Sequence, residues 1–126
     1  MNSTVIPCFL YPDAEAAIAW LKQVLGFTEH AVYRNKDGIV QHAELTHGHG
    51  MIMLGTGEPH PAAVKTHGIN LILADPDVVY ERAKAAGAAI IFPLEDKPYG
   101  GRAFSCQDPA GYNWHVGSYN PWATTT

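Results

Sequence analysis

The segment Arg102–Tyr119, RAFSCQDPAGYNWHVGSY, reads as strand, turn and strand. RAFSCQ and YNWHVGSY carry the short apolar runs of strands, and DPAG between them has the residues of a turn. Just upstream, AAIIF (88–92) reads as another strand and PLEDKPYGG (93–101) as a loop. Further back, DPDVVYERAKAAG (75–87) reads as a helix. Asp75 is its N-cap, Pro76 takes the first helical position, and Gly87 stops it. GINLILA (68–74) is a strand before that helix. The second half is therefore β-α-β-β-β.

The first half repeats the order. TVIPCFLY (4–11) is a β-prone run. Asp13 can cap AEAAIAWLKQVL, in which Ala14, Ala17, Ile18, Leu21 and Leu25 recur at helical spacing and Gly26 follows as a stop. FTEHAVYR (27–34) is a strand, NKDG a hairpin turn, IVQHAELTH (39–47) a second strand and GMIMLG (50–55) a third. The Gly- and Pro-rich GTGEPHPAAVKTH joins the halves as a linker. The expected boundaries are a first module over about 1–55, a linker over about 56–67 and a second module over about 68–122, all in one domain of 126 residues. Strand–helix alternation followed by consecutive strands predicts an α+β fold, with the two sheets meeting around a shared cavity.

Composition narrows the partners. Apolar residues make up 47%, charged residues 16%, and the net charge is −4. No run of Lys or Arg offers a basic face, which argues against nucleic acid and anionic membrane. No stretch approaches the roughly 20 apolar residues that span a bilayer. The start has no basic region followed by an apolar run, so no signal peptide is expected. The two cysteines, Cys8 and Cys106, are far apart, as reduced thiols of a cytoplasmic protein would be.

VQHAELTHGHG (40–50) brings His42, Glu44, His47 and His49 together. Imidazole and carboxylate suit zinc, nickel or iron. His42, Glu44 and Thr46 alternate onto one strand face, whereas His47 and His49 fall in a turn and read as exposed histidines. No GxSxG, Walker-type loop or HExxH is present.

The order of elements, with YPDAEAAIAWLKQVLGF near the start, HAEL in the middle and YGGRAFSCQDPAGYNWHVGSY at the end, resembles the glyoxalase / bleomycin-resistance / extradiol-dioxygenase superfamily, also called vicinal oxygen chelate. The closing DPAGYNWHVGSY is similar to that of its small PhnB-like bacterial branch. The resemblance implies two βαβββ modules forming an open U-shaped barrel, in a homodimer. It leaves function open, since the superfamily holds metal-dependent isomerases, dioxygenases and metal-free drug-binding proteins.

In metal-using relatives four strands each present one ligand to the cavity. By that resemblance the positions here are Ile6, Glu44, Ile69 and His115. Two isoleucines have no lone pair to give, so no cofactor is expected. A divalent metal would need a rebuilt set of Glu44 and His115 with Cys8 or His42. Glu44 and His115 read first as polar anchors for a ligand, second as a satisfied structural pair, and third as catalytic acid and base. Ile6, Cys8, His42, Met53, Ile69 and Phe104 complete the expected lining. Tyr99 and Arg102 flank Gly100–Gly101 in a loop able to close over a flat or anionic ligand, or forming a plain surface hairpin. The expected function is binding of a small organic molecule, in the manner of drug sequestration. The competing class is a metal-assisted lyase, isomerase or dioxygenase that uses Glu44 and His115.

Overall fold

Asp13 and Asp75 start the two long helices in the same way. The Asp13 carboxylate accepts from the Ala16 backbone N–H at 3.0 Å, and Asp75 accepts from that of Val78 at 3.4 Å. Each supplies a partner for an amide that the first helical turn leaves unpaired. The computed structural model describes residues 2–123. The chain divides into two compact units, Met1–Ala63 and Val64–Thr126. Among the described residues no helix is long and apolar enough to cross a membrane.

The first unit holds β1 (Cys8–Tyr11), α1 (Ala14–Gln23), β2 (Thr28–Arg34), β3 (Val40–His47) and β4 (Gly50–Thr56). Its sheet has the order β1-β4-β3-β2, with β1 parallel to β4 and the other pairs antiparallel. Side chains alternate across the strands. Phe9, Tyr11, Ala43, Leu45, Ile52 and Leu54 are buried with Ala17, Ile18 and Leu21 of α1. Cys8, Glu44 and Met53 point to the face away from α1. Two irregularities break the alternation. Between Glu29 and Ala31 the register of β2 shifts, setting His30 out of the pairing. Between Tyr33 and Arg34 the partner jumps from His42 to Val40, which returns Val40 to the buried side.

The second unit begins with α2 (Pro61–Thr66), whose first residues belong to the first unit, and continues with β5 (Gly68–Ile72), α3 (Pro76–Ala85), β6 (Ala89–Asp96), β7 (Arg102–Gln107) and β8 (Asn113–Gly117). Its sheet repeats the pattern as β5-β8-β7-β6, with β5 parallel to β8. Phe104, Cys106, Trp114 and Val116 are fully buried, at 0% exposure, beside Val79 and Ala83 of α3. The fold is therefore the expected α+β arrangement of two β-α-β-β-β units.

The turn between β7 and β8 is tied by one side chain. Asp108, 5% exposed, accepts through Oδ1 from the backbone N–H groups of Ala110 and Tyr112, each at 3.0 Å. Its Oδ2 accepts from the Trp114 indole N–H at 3.0 Å. Gly111 holds φ +96°, a conformation that favours glycine. The DPAGYNW segment is thus a clasp that closes the hairpin and pins its tryptophan.

Several element boundaries differ from expectation: β1 starts only at Cys8 and β8 ends at Gly117. The linker contains α2, and β4 runs on to Thr56. PLED belongs to β6, which continues past Pro93 with a register shift. β6 is an edge strand, where proline removes no needed ladder bond. The connecting loop is therefore short, covering 97–101. His47 is the last residue of β3 and is half-buried with its ring against Phe27 at 5.4 Å. The expectation of an exposed turn histidine holds for His49 but fails for His47, whose pKa burial lowers.

Candidate functional site

The face of the first sheet away from α1 carries one continuous row. Ala31 pairs with Glu44, Glu44 with Met53, and Met53 with Cys8. A carboxylate therefore sits among a methyl, a thioether and a thiol. Leu10, Thr46 and Tyr33 share that face by alternation. Ile6 lies two residues before Cys8, outside β1, and is half-buried.

Glu44 is not left bare. Its Oε2 accepts from His42 Nε2 at 2.9 Å. His30 Nε2 approaches the other oxygen, Oε1, at 3.8 Å, too far for a hydrogen bond but within ion-pair reach. The bulge in β2 is what places His30 there, so no simple alternation would select it. Tyr33 lies against the His42 ring with centroids 6.0 Å apart. The result is a carboxylate flanked by two imidazoles and bordered by an aromatic ring. His30 and Tyr33 were not legible as site residues in the sequence.

The corresponding face of the second sheet has its own row. Asn70 pairs with His115, His115 with Ser105, and Ser105 with Phe92. Ser105 Oγ and His115 Nδ1 are 2.7 Å apart. Asn70 and Ser105 were also missed, though the alternation Gly68, Ile69, Asn70, Leu71 contained the signal for Asn70.

Two expectations change here, those for Ile69 and Phe104. Ile69 pairs with Trp114, and Leu71 with Val116, on the face packed beneath α3. The expected register was one residue off, and in a strand one residue reverses the face. Asn70, not Ile69, stands beside His115. Phe104 is fully buried and its ring lies 5.0 Å from that of Tyr80 on α3, so it belongs to the core. Arg102 is exposed and pairs with Asp77 at 3.2 Å and Asp96 at 3.0 Å. Tyr99 is 61% exposed and packs edge-on against Tyr119 at 5.0 Å.

The fold recurs in known proteins. The family described as glyoxalase / bleomycin resistance protein / dioxygenase superfamily matches residues 5–116. The chain belongs to that superfamily. Among solved structures, TioX from Micromonospora sp. ML1 is 30% identical, with a TM-score of 0.78 over 94% of this chain and 100% of that one. The fosfomycin resistance protein FosX from Mesorhizobium loti shares the fold at 19% identity, with a TM-score of 0.72 over 96% of this chain and 95% of that one. An uncharacterized protein of Mycobacterium bovis is 28% identical over 121 residues, covering 88% of this chain and 80% of that protein.

A divalent ion, as the resemblance implies for metal-dependent members of the superfamily, would need several donor side chains together. Glu44 has alanine, methionine and cysteine along its row, with His42 already donating to one oxygen at 2.9 Å and His30 at 3.8 Å from the other. His115 has Asn70 and Ser105 beside it, and Ser105 takes its Nδ1. Among the described residues no three His, Cys, Asp or Glu side chains are grouped to hold a metal. Zinc, nickel and iron sites draw on three or four such donors in a fixed geometry. On neither sheet face, taken by itself, are the donors grouped in that way.

Proposed function

We propose that the protein binds a small organic molecule and uses no catalytic metal. The carrying observation is the single carboxylate of Glu44, held by His42 in the middle of a row made of Ala31, Met53 and Cys8. Sites for small molecules combine mostly apolar lining with a few fixed polar groups that set orientation. Met53 supplies a soft, adaptable contact and Tyr33 a flat one. An aromatic or drug-like compound fits this mixture, and its sequestration would be a resistance-type role. FosX, named for fosfomycin resistance, shows only that the fold occurs in a resistance protein. The Asp108 clasp, on which the PhnB-like resemblance rests, is structural and adds nothing about the ligand.

Pairing of two chains belongs to the same reading. β1 and β2 are edges of the first sheet, and β5 and β6 of the second. Unpaired edges are commonly covered by another chain. Sedimentation that gives only the 13.7 kDa species at micromolar concentration would refute the dimer.

The test screens protein purified without a His-tag against aromatic and heteroaromatic compounds by thermal shift, then titrates the best hit into wild type and Glu44→Gln. The expected result is an unchanged melt for the variant and an affinity at least about tenfold weaker, or about 1.4 kcal/mol. Unchanged affinity would move the ligand away from Glu44. Metal analysis of the same preparation tests the second half of the reading. About one equivalent of nickel, zinc or iron per chain would overturn it in favour of a metal-assisted lyase, isomerase or dioxygenase.

A further inference from the structure

In the second unit, His115 is held at one ring nitrogen and has open room at the other. Nδ1 is 2.7 Å from Ser105 Oγ. Nε2 lies 3.2 Å from the point where a Cβ on Gly68 would stand, so the imidazole occupies the space that any side chain at 68 would need. The register explains both contacts. Ser105 is the cross-strand partner of His115, and Gly68 belongs to the neighbouring strand, two residues before its partner Asn70.

The direction of the Ser105 bond follows from satisfaction of polar groups. Ser105 is 8% exposed, and among the described residues His115 Nδ1 is the hydrogen-bond partner of its hydroxyl. If Nδ1 carried the proton, Ser105 would accept it and its own O–H would point into the interior without an acceptor. A buried donor left unpaired is costly, whereas a hydroxyl that donates to a bare Nδ1 leaves nothing unsatisfied. The neutral ring then has its proton on Nε2. Ser105 is buried, so it is poorly placed to serve as a nucleophile, while His115 itself is exposed.

We propose that Ser105 is a positioning residue that, with Gly68 leaving the room the ring needs, presents His115 as an Nε2–H donor, selecting a ligand that carries an acceptor oxygen, such as an aromatic carbonyl or amide. The tautomer stands on the local geometry; the ligand class rests on the small-molecule reading above. Asn70, exposed beside His115, offers an amide able to meet the same group. Phe92, 57% exposed at the other end of the row, gives a flat apolar surface.

The experiment uses full-length protein labelled with 15N-histidine, read by long-range ring 1H–15N correlation above the ordinary histidine pKa range. Wild type is expected to show His115 protonated at Nε2. Ser105→Ala is expected to give a mixture of tautomers with the protein still folded, and Ser105→Thr, which keeps the hydroxyl, to restore the single form. Benzamide and benzylamine are then titrated as probes. Benzamide should shift the His115 Nε2–H resonance at concentrations where benzylamine does not, and its affinity should fall about tenfold in Ser105→Ala, as expected for losing one oriented hydrogen bond. A wild-type ring protonated at Nδ1 overturns the proposal whatever binds. Equal responses to the two probes overturn the acceptor selectivity. Silence to both probes with the Nε2–H form intact overturns the ligand class, whereas the small-molecule reading itself falls only if the library screen is also blank.

Discussion

Replacing Asp108 by asparagine changes one atom and should damage the second unit measurably. Oδ1 would still accept from the Ala110 and Tyr112 amides. The new NH2 group, however, would face the Trp114 indole N–H, donor against donor. Trp114 is fully buried, so the indole proton has no water to turn to. An unsatisfied buried donor costs about 1–3 kcal/mol, and the two remaining bonds weaken because a charged acceptor roughly doubles the strength of a neutral one. The sum is about 2–4 kcal/mol, a substantial part of the roughly 5–15 kcal/mol that holds a domain folded. For a chain of this length that corresponds to a melting temperature lower by about 10 °C. Calorimetry of wild type and Asp108→Asn measures the shift, and tryptophan fluorescence reports whether Trp114 has moved. A melt within 2–3 °C or so of wild type would show that the clasp does not hold the hairpin, because even one lost buried bond exceeds that shift.

Further outcomes follow from particular residues. Cys8 is exposed, whereas the Cys106 thiol is buried and its pKa is pushed up to about 12, first by burial and then by the Asp108 charge. A thiol reagent at neutral pH should therefore label Cys8 alone in native protein and both cysteines in denaturant; rapid native labelling of Cys106 would contradict the packing. Burial lowers the His47 pKa, so the unfolded chain binds the proton more readily than the folded one. Stability from this group is complete above the ordinary value of about 6.5 and is lost as pH falls below it, so His47→Gln should flatten the melting curve against pH in that range. An identical pH dependence in the variant would refute this. Ile69→Ala should cost about 1–2 kcal/mol, less than a fully buried isoleucine, because it removes methyls packed beside Trp114. Asn70→Ala should leave the melt unchanged and weaken binding of a carbonyl-bearing ligand; the reverse pattern in chemical denaturation and titration would return Ile69 to the ligand face.

What the sequence made legible was local chemistry. Asp13 and Asp75 before helical runs, with Gly26 and Gly87 after them, carry their own stereochemical reasons, and both helices formed where those residues placed them. The paired order of elements was equally readable, because turns and periodicity repeat in both halves. The extent of β6 was not. Pro93 reads as a break in isolation, and only the position of β6 at the edge of its sheet makes proline harmless. The candidate site divides in the same way. Glu44 and His42 share a face by simple alternation, and the structure brings them to 2.9 Å. His30 joins them only through a bulge, and a bulge depends on the partner strand as much as on the residues that form it.

Ile69 shows how a one-residue slip in a position taken from family resemblance reverses the face of a strand. In Gly68-Ile69-Asn70-Leu71-Ile72, Ile69 and Leu71 are two residues apart, so they must share a face. Leu71 opposite Val116, and Ile69 opposite Trp114, put that face against α3. Asn70 is then forced to the side of His115, whatever residue relatives carry there. The consequence is chemical. With isoleucine beside His115 the face would present one imidazole in a greasy surround; with asparagine it presents an imidazole and an amide together, and Gly68 leaves the room that the ring needs. A polar pair of that kind orients a ligand by hydrogen bonds, and a binding site gains its discrimination from such groups because a ligand that lacks the matching atom leaves them unpaired.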